Sequence, residues 1–374
     1  MPTTDLLIIG AGPAGLSTAL HLLQIDPAWK DRLIVLDKAA HPRHKLCGGG
    51  VTLLGLNLLK GLGLPDPLPL PHAAVHDARF IYRRRTIHVR GAPEFLVFHR
   101  AEFDAYLAQT ARQRGIQLHE NQAVTTIRRT PEGFTITTPK REYHARLVVG
   151  ADGSKGITRR YVGGRFRPSR VARLLEVVTP APEDAPPFRQ RFARFDFTPT
   201  RARLQGYVWD FPARVQGIPH HNRGVYDARI ARKRGKASLP RILQQSLQQS
   251  NTDPQKVDIE GHPIHLFSPR NPFADHRILL VGDAAGADPL FGEGIAPALG
   301  YGKIAAQSIH RAFVRNDFSL KDYHRRVLFS RLGVYLLLRW GVAWWSYRLS
   351  GQPWFMHTVW TIGQGLAALK KTQI

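Results

Sequence analysis

Three glycines and one aspartate near the amino terminus have the spacing of a nucleotide-binding turn. Gly10, Gly12 and Gly15 follow a short apolar run, and Asp37 ends a second apolar run about 20 residues later. In such a turn the first glycine bends the chain, the second lets the backbone approach a pyrophosphate, and the third allows close packing of helix on strand. The aspartate accepts a hydrogen bond from a ribose hydroxyl. The spacing therefore predicts a dinucleotide site.

The segments around this turn have the character of the elements that such a site needs. Residues 5–9 and 33–36 have the length and the β-branched side chains of buried parallel strands. Apolar residues at helical spacing begin directly after the glycines, so the amino terminus of a helix faces the phosphates. The alternative is a glycine-rich structural turn without a ligand. No second glycine fingerprint occurs in the chain, which predicts one permanently held nucleotide.

Later motifs follow the same logic of an apolar strand ending in a polar turn. Asp152 follows the apolar run 147–150, and Gly282 and Asp283 follow the run 277–281. With residues 98–104 and 288–295, these motifs resemble the flavin-dependent reductase and hydroxylase superfamily over residues 1 to about 310. The resemblance implies an α/β fold, in which a Rossmann-like FAD-binding domain carries an inserted antiparallel-sheet substrate domain and a C-terminal helical region.

The resemblance also implies which residues bind the cofactor, FAD. They are Gly10, Gly12, Ala14, Gly15, Asp37, Lys45, Cys47, Gly48, Gly49, Arg100, Val124, Asp152, Gly282, Asp283, Pro289, Gly292, Gly294 and Ile295. Asp283 is expected on the ribityl chain and pyrophosphate, Arg100 along the phosphates, and Val124 at the adenine. The N–H groups of Gly294 and Ile295, at a helix amino terminus, are expected to stabilise negative charge on the reduced flavin ring.

Two segments are similar to the geranylgeranyl reductase family within that superfamily. Residues 42–51 match its lysine-x-cysteine-glycine loop over the flavin, and residues 207–212 match its Tyr-x-Trp-x-Phe-Pro motif. Strand periodicity puts Tyr207, Trp209 and Phe211 on one face, where they form an apolar wall suited to a prenyl chain. The alternative is that these rings fill the core of a half-buried sheet.

Departures from the family pattern are also visible. Gly156 stands where a serine is common, and the family's later Gly-x-Gly is represented only by Gly224 with Tyr226. We expect the missing second glycine to affect the loop geometry and the choice of substrate rather than the chemistry.

Cys47 is the single cysteine of the chain and a candidate catalytic residue, as are Tyr207 and Trp209 for the substrate pocket. Neighbouring cations acidify a thiol, so Cys47 is interpreted as a proton donor or as a small residue that fits under the flavin ring. No hydrolase triad, metal-binding cluster or carboxylate pair is apparent, and no metal is expected. The histidine pairs 220–221 and 262/265 are predicted to be surface residues in proline-rich loops.

Composition and charge limit the classes of function. The chain has 374 residues with 43% hydrophobic content, which excludes disorder, collagen and coiled coil. Its 53 basic and 28 acidic side chains give a net charge of +25, which indicates a polyanionic partner such as nucleic acid, an anionic membrane or a phosphorylated substrate. No nucleic-acid-binding module is recognisable. Because no signal peptide is visible, we expect a cytoplasmic protein.

Composition shifts along the chain suggest an interrupted domain order. Proline-rich connectors at 64–72 and 179–187 separate alternating segments that are expected to form antiparallel strands with one solvated face, among them 79–83 and 191–197. The predicted boundaries are 1–75, 99–165 and 271–315 for the FAD-binding domain, 76–98 and 166–270 for the substrate domain, and 316–374 for the C-terminal region.

The C-terminal region has an unusual composition. No acidic residue follows Asp322, and five of the seven tryptophans lie between Trp340 and Trp360. Residues 332–347 are nearly all apolar apart from Arg339, but they are too few for a membrane span. Mixed aromatic and basic side chains suit a helix in the lipid interface, which predicts peripheral attachment to the cytoplasmic membrane face. The alternative is a helical cap that packs its aromatic residues on the substrate domain.

These observations lead to an interpretation with two alternatives. The first is an FAD-dependent reductase that saturates C=C bonds of a polyprenyl group on a lipid, pigment precursor or quinone, with NADPH or reduced ferredoxin as electron donor. The second is a flavin-dependent monooxygenase or halogenase. Halogenases carry a related Trp-x-Trp-x-Ile-Pro segment, and Tyr207 and Phe211 at the differing positions favour the reductase. The third is a basic nucleic-acid-binding protein.

Overall fold

A computed structural model of the chain describes residues 3–163, 171–231 and 235–371. Its strands, in chain order, are β1 (Thr3–Ile9), β2 (Leu33–Leu36), β3 (Gly50–Thr52), β4 (His72–Tyr82), β5 (Arg85–Phe98), β6 (Gln117–His119), β7 (Thr126–Arg129), β8 (Phe134–Thr137), β9 (Glu142–Gly150), β10 (Val171–Pro180), β11 (Phe192–Asp196), β12 (Gly206–Val215), β13 (Ile218–Asp227), β14 (Glu260–His265), β15 (Ala274–Asp275) and β16 (Ile278–Leu280). Its helices are α1 (Pro13–Ile25), α2 (Leu53–Gly61), α3 (Arg100–Gln113), α4 (Pro186–Arg189), α5 (Leu239–Gln249), α6 (Ile295–Arg315), α7 (Tyr323–Leu328), α8 (Arg331–Leu349) and α9 (Pro353–Lys371).

The first sheet has the Rossmann-like architecture expected from the sequence. Its strand order is β15-β16-β9-β1-β2-β6, with the β7–β8 hairpin added through β8 to β9. The pairs β1–β2, β1–β9, β9–β16 and β2–β6 are parallel. Residues 6–9 and 33–36 are all buried, as expected for strands covered on both faces. The five parallel strands β16, β9, β1, β2 and β6 therefore end at one edge, where a doubly wound sheet binds its ligand.

The second sheet is predominantly antiparallel, in the order β14-β10-β13-β12-β11-β4-β5-β3. One face carries the aromatic motif of β12 toward the first sheet, and the other face packs against the apolar side of α5. One pair departs from the antiparallel expectation, because β11 runs parallel to β4 while it pairs antiparallel with β12. β11 follows β10 through a long connection that contains α4, so its direction is not set by a hairpin with β4.

The two sheets do not alternate along the chain in a simple way. β3 lies within the first predicted segment of the FAD-binding domain, yet it pairs with β5 of the second sheet. The predicted boundary between residues 165 and 166 falls outside the described residues.

The C-terminal region is helical and packs on both layers. α8 begins at a capping serine, since the Ser330 hydroxyl accepts a hydrogen bond from the Gly333 N–H at 2.9 Å. Leu332 of α8 contacts Gly300 of α6, whereas Trp360 of α9 donates its indole N–H to the carbonyl of Phe80 at 3.1 Å. Within the described ranges, no helix is long and apolar enough to cross a membrane.

Candidate functional site

A cavity of about 560 Å³ is lined by residues from both sheets and from α8. It brings together most of the predicted site residues, namely Gly10, Gly12, Ala14, Asp37, Lys45, Cys47, Gly48, Gly49, Arg100, Val124, Asp152, Tyr207, Trp209, Gly282, Asp283, Gly292, Gly294 and Ile295. Gly15 and Pro289 are the two predicted site residues that do not line it. Residues separated by more than 250 positions in the chain thus meet because they follow parallel strands that end at the same edge.

The glycines at this edge are required by close backbone contacts. Gly10 has a φ of +114°, and a Cβ atom there would lie 2.3 Å from the carbonyl oxygen of Ala151. A Cβ atom on Gly15 would lie 2.0 Å from the carbonyl oxygen of Gly10, so Gly15 allows α1 to pack on β1 without itself reaching the cavity. A Cβ atom on Gly12 would meet only the Arg43 side chain, at 3.5 Å. The space beside Gly12 is therefore open to a ligand and is not filled by the protein backbone.

The predicted carboxylates at this edge shape their own turns. Asp37 accepts hydrogen bonds from the N–H groups of Ala11 and Ala39, at 2.8 and 3.0 Å. Asp152 accepts from the N–H and the hydroxyl of Thr158, and burial raises the pKa of its carboxyl group. A Cβ atom on Gly156 would lie 1.9 Å from the Asp152 carboxyl carbon. The glycine at this position thus gives the Asp152 side chain the space that it occupies.

Two arginines contact the same buried aspartate beside residues 42–51, which we call the Cys47 loop. Arg100 donates two hydrogen bonds to Asp104, at 2.8 and 2.9 Å, and Arg43 approaches the same carboxylate at 3.2 Å. Burial alone would lower the pKa of Arg100, but the charge of Asp104 and the adjacent Cys47 thiol outweigh it and raise that pKa. Arg43 also lies 3.7 Å from the Asp37 carboxylate, so it joins the aspartates of the two segments at the cavity wall.

Lys45 and His262 form a second pair of side chains in the cavity lining. The Lys45 ammonium donates to Nε2 of His262 at 3.1 Å. Burial and the nearby Lys45, Lys155 and Lys38 lower the pKa of His262 to about 3, so this imidazole is neutral. Burial also lowers the pKa of Lys45. The prediction of a surface histidine was wrong for His262, because it lies on β14 with its side chain in the cavity wall.

The histidine pair at residues 220–221 also departs from the surface prediction. Both residues lie on β13, and His221 is buried with its ring nitrogen 2.8 Å from Asp210. Alternation along the strand turns one residue of the pair inward, which no composition argument about a proline-rich loop anticipates.

A buried polar network lies beneath the Cys47 loop. The amide of Asn222 donates to Glu176 at 2.9 Å and to the Cys47 carbonyl at 3.2 Å, while its oxygen accepts from the Trp209 indole at 2.7 Å. Burial raises the pKa of Glu176 to about 7, and one of its oxygens has no hydrogen-bond partner. Asn222 thus connects the loop to the aromatic wall.

The aromatic wall extends from this network along the second sheet. Tyr207, Trp209 and Phe211 face the cavity together, as strand alternation predicts. Phe195 lies at their centre, with ring centroids 5.0 Å from Phe211 and 4.8 Å from Phe80. These rings form one continuous apolar surface.

Trp209 occupies its place because the opposite residue is glycine. Trp209 pairs with Gly224 across β12 and β13, and a Cβ atom on Gly224 would lie 2.3 Å from the indole. Tyr226, which stands where the family pattern has a second glycine, donates its hydroxyl to the Pro289 carbonyl at 3.2 Å. The departure from the family motif therefore gives a contact to the turn before α6.

Several residues of the site were not identified from the sequence. Glu176 follows Ala172 and Leu174 on the inward face of β10, and an acid at an inward strand position is a signal that sequence reading overlooked. In the sequence Arg339 only interrupts an apolar stretch, but in the structure it lines the cavity. Asn222 gave no signal, since only the fold brings it to Cys47. Among the described residues, no cluster of three or more side chains suits a metal ion.

The comparisons with known proteins agree with this geometry. A family model described as an FAD binding domain matches residues 3–296. The chain is 27% identical over 333 residues to an uncharacterised protein of Methanosarcina barkeri, which covers 87% of this chain and 79% of that protein. It is also 27% identical over 349 residues to digeranylgeranylglycerophospholipid reductase 1 of Methanothermobacter thermautotrophicus, which covers 86% of this chain and 81% of that protein.

Two solved structures share the fold. A geranylgeranyl bacteriochlorophyll reductase-like protein of Thermoplasma acidophilum superposes with a TM-score of 0.75 at 20% identity, over 94% of this chain and 88% of that one. The halogenase PltM superposes with a TM-score of 0.70 at 17% identity, over 98% of this chain and 82% of that one. At these identities the likeness shows the fold alone.

Proposed function

The chain belongs to the FAD binding domain family of FAD-dependent oxidoreductases, and from that premise we propose that it reduces carbon–carbon double bonds of a polyprenyl chain. The observation that carries the proposal is a single cavity with a nucleotide-type glycine edge at one end and a continuous aromatic wall at the other. Ring faces without fixed polar partners suit a long unsaturated hydrocarbon better than a polar substrate. The relative from Methanothermobacter, named as a reductase of a digeranylgeranyl lipid, supports the same substrate class.

The residues at the glycine edge fit FAD. The free N–H groups at the start of α1 and the three cations Arg43, Arg100 and Lys45 of the cavity lining suit a pyrophosphate. Gly294 caps α6 with no side-chain hydrogen bond, which leaves the N–H groups of that helix for the flavin ring. When bound and reduced, FAD supplies the hydride that adds to one carbon of the double bond.

The protein must supply the proton and exclude water. We propose that Cys47 donates this proton. Its thiol lies beside the Arg100 side chain, and Cys47 belongs to the loop between the nucleotide edge and the aromatic wall. Tyr207 is a weaker candidate, since burial raises the pKa of its phenol and its hydroxyl already donates to the Phe291 carbonyl at 2.6 Å. The closely spaced rings of Phe195, Phe211 and Tyr207 keep water from the reacting carbons.

The proposal extends to the domain arrangement and the partners. We assign the FAD-binding domain to 1–75, 99–165 and 271–315, the substrate domain to 76–98 and 166–270, and the C-terminal helical region to 316–374. The electron donor is NADPH or reduced ferredoxin that docks transiently, because the chain carries one nucleotide fingerprint.

We also propose that α8 attaches the protein to an anionic membrane at its cytoplasmic face. Val334, Leu338, Val342 and Trp345 form a stripe along the outer side of α8, and 67% of Leu338 and 64% of Trp345 is exposed. Arg331 and Arg348 are also exposed on this helix, and no acidic residue follows Asp322. A helix with exposed apolar and basic residues suits the lipid interface.

Anaerobic single-turnover kinetics test the reductase proposal. The FAD-loaded protein is reduced with dithionite under nitrogen and mixed with a digeranylgeranyl lipid, and flavin absorbance and product mass are followed. We expect reoxidation by the lipid with a mass gain of two hydrogens per reduced bond. Saturated lipid is the control, with which the flavin stays reduced.

The same experiment decides against the alternative. If the flavin reoxidises only after oxygen is admitted, and the product gains oxygen or halogen, the protein is a monooxygenase or halogenase and the reductase proposal is wrong. The halogenase PltM has the same fold, which is why this class of enzyme is named as the alternative.

A further inference from the structure

Arg339 is the one charged residue within the apolar stretch 332–347, and its side chain points into the cavity. Its guanidinium contacts Oδ2 of Asp288 at 2.8 Å, and Asp288 is fully buried. The same guanidinium lies 4.3 Å from the ring centre of Tyr335 and 5.3 Å from that of Phe291. A buried ion pair rarely adds net stability to a protein. The position of Arg339 in the cavity lining therefore points to a role at the site rather than to a stabilising one.

Asp288 organises the turn that leads into α6. Its carboxylate accepts from the N–H groups of Leu290 and Phe291, at 2.8 and 3.0 Å. Its backbone closes the same turn, with the Asp288 N–H donating to the Glu293 carbonyl and the Gly292 N–H donating to the Asp288 carbonyl, each at 3.0 Å. The turn ends at Gly294, directly before the amino terminus of α6. We call residues 288–293 the α6 turn.

α8 holds the α6 turn at three points. Besides the Arg339 ion pair, the Tyr335 hydroxyl donates to the Glu293 carboxylate and the Tyr347 hydroxyl donates to the Leu290 carbonyl. These three residues are spaced at four and eight positions on one helix, so they lie on the same side of α8. Arg339 is the central contact and the only charged one among them.

We propose that Arg339 is a positioning residue for the flavin: through Asp288 it fixes the α6 turn, and so the N–H groups of Gly294 and Ile295, where the flavin ring binds. The inference rests on the assigned FAD site and not on the prenyl substrate. It makes a helix beyond the matched family segment 3–296 part of the cofactor site. The competing view is that the ion pair only attaches α8 to the body of the protein.

Three variants and a matched control separate the two views. Arg339→Met removes the charge, Arg339→Lys keeps it without the planar stacking, and Arg339→Met with Asp288→Asn removes both charges. Arg325→Met is the control, since Arg325 is an exposed arginine on the neighbouring helix α7 and does not line the cavity. FAD affinity is measured by quenching of flavin fluorescence, and the stability of the FAD-free protein by thermal unfolding.

We expect Arg339→Met to bind FAD at least tenfold more weakly and to shift the flavin absorbance band, whereas Arg325→Met binds as the parent does. Arg339→Lys should recover part of the affinity. The double variant should regain part of the thermal stability of Arg339→Met, because no unpaired charge remains although the amide keeps only one of the two turn hydrogen bonds, and it should not regain FAD affinity. If FAD affinity instead follows thermal stability in every variant, or is unchanged in all of them, Arg339 has a structural role only. Should Arg339→Met fail to fold, the lysine and double variants give the same decision.

Discussion

The two ends of the cavity are built from different parts of the polypeptide. At the nucleotide end, the wall is backbone: Gly10 lies where a Cβ atom would be 2.3 Å from a carbonyl oxygen, and helix amino termini supply free N–H groups. At the substrate end, the wall is ring faces, with Phe195 at centroid distances of 5.0 and 5.3 Å from Phe211 and Tyr207. Cationic side chains line the nucleotide end. At the substrate end, the hydrogen bonds of the aromatic residues lie behind their ring faces.

The difference teaches which kind of site a single sequence reveals. A backbone contact of this closeness accepts one residue type, so it leaves a glycine at a fixed spacing. A ring face can be supplied by phenylalanine, tyrosine or tryptophan, and the packing decides which of them faces the cavity. The nucleotide end should therefore tolerate substitution poorly, and the substrate end should tolerate it with graded losses.

The largest expected effect is at Gly10. Gly10→Ala forces a side chain against the Ala151 carbonyl at a φ of +114°, and we expect a loss of about 4 kcal/mol or more of unfolding free energy. Gly12→Ala is the matched control, because its Cβ atom would meet only the flexible Arg43 side chain. Thermal unfolding of the FAD-free proteins and FAD titration check this. Gly12→Ala should keep its stability and lose FAD affinity; unchanged FAD affinity would show that Gly12 does not face the cofactor.

Glu176 predicts a pH dependence of stability at the junction of the two ends. Burial raises the pKa of this carboxyl group in the folded protein to about 7, above its ordinary value. The folded protein then binds more protons than the unfolded chain between about pH 4.5 and 7, so this contribution to stability is complete below that window and is lost as the pH rises through it. The loss amounts to about 3 kcal/mol.

Glu176→Gln removes this titration while it keeps an oxygen that accepts from Asn222. Urea unfolding at a series of pH values should show a smaller fall in stability between pH 5 and 8 for the variant than for the parent. Parallel curves for the two proteins would mean that Glu176 titrates normally. Glu132, which is exposed between β7 and β8, is the control carboxylate, and Glu132→Gln should leave the pH dependence unchanged.

Phe195 tests the substrate end alone. Phe195→Leu shortens the ring surface, and we expect kcat/KM for a polyprenyl substrate to fall about tenfold, equivalent to about 1.4 kcal/mol, with FAD affinity within about twofold. Phe192→Leu is the control on the same strand, since Phe192 packs its ring under Arg79 rather than in the cavity wall. A loss of FAD affinity in Phe195→Leu would contradict the separation of the two ends.

The smallest effect on stability is expected on the outer stripe of α8. Leu338→Ser with Trp345→Ser replaces exposed side chains, so unfolding free energy should change by less than about 0.5 kcal/mol per site. Sedimentation with phosphatidylglycerol vesicles should nevertheless decrease at least tenfold relative to the parent. Ile218→Ser is the control, because Ile218 is 60% exposed at the start of β13. Equal vesicle binding by all three proteins would refute attachment through α8.

The sequence was most informative where the chain itself enforces the geometry. The glycine spacing, Asp37 and the two apolar strands predicted the first sheet, and alternation predicted that Tyr207, Trp209 and Phe211 share a face. Alternation in β14 also turns His262 inward, whereas the proline-rich composition predicts a surface loop, and that prediction was wrong. Local periodicity was the more reliable of the two signals, because it follows from backbone geometry.

Local pattern by itself determined the glycine-rich turn, its two flanking strands and the acid-free composition of the C-terminal region, since each depends on residues that are close in the chain or on backbone contacts that admit one residue type. The α/β fold class followed from a resemblance of several such motifs to a known family. The tertiary structure decided that Asn222 joins Cys47 to Trp209, that β11 runs parallel to β4, and that Arg339 reaches Asp288. These contacts join side chains from distant elements, and their energies depend on burial and distance. Burial and distance are properties of the packed molecule, which no local pattern encodes.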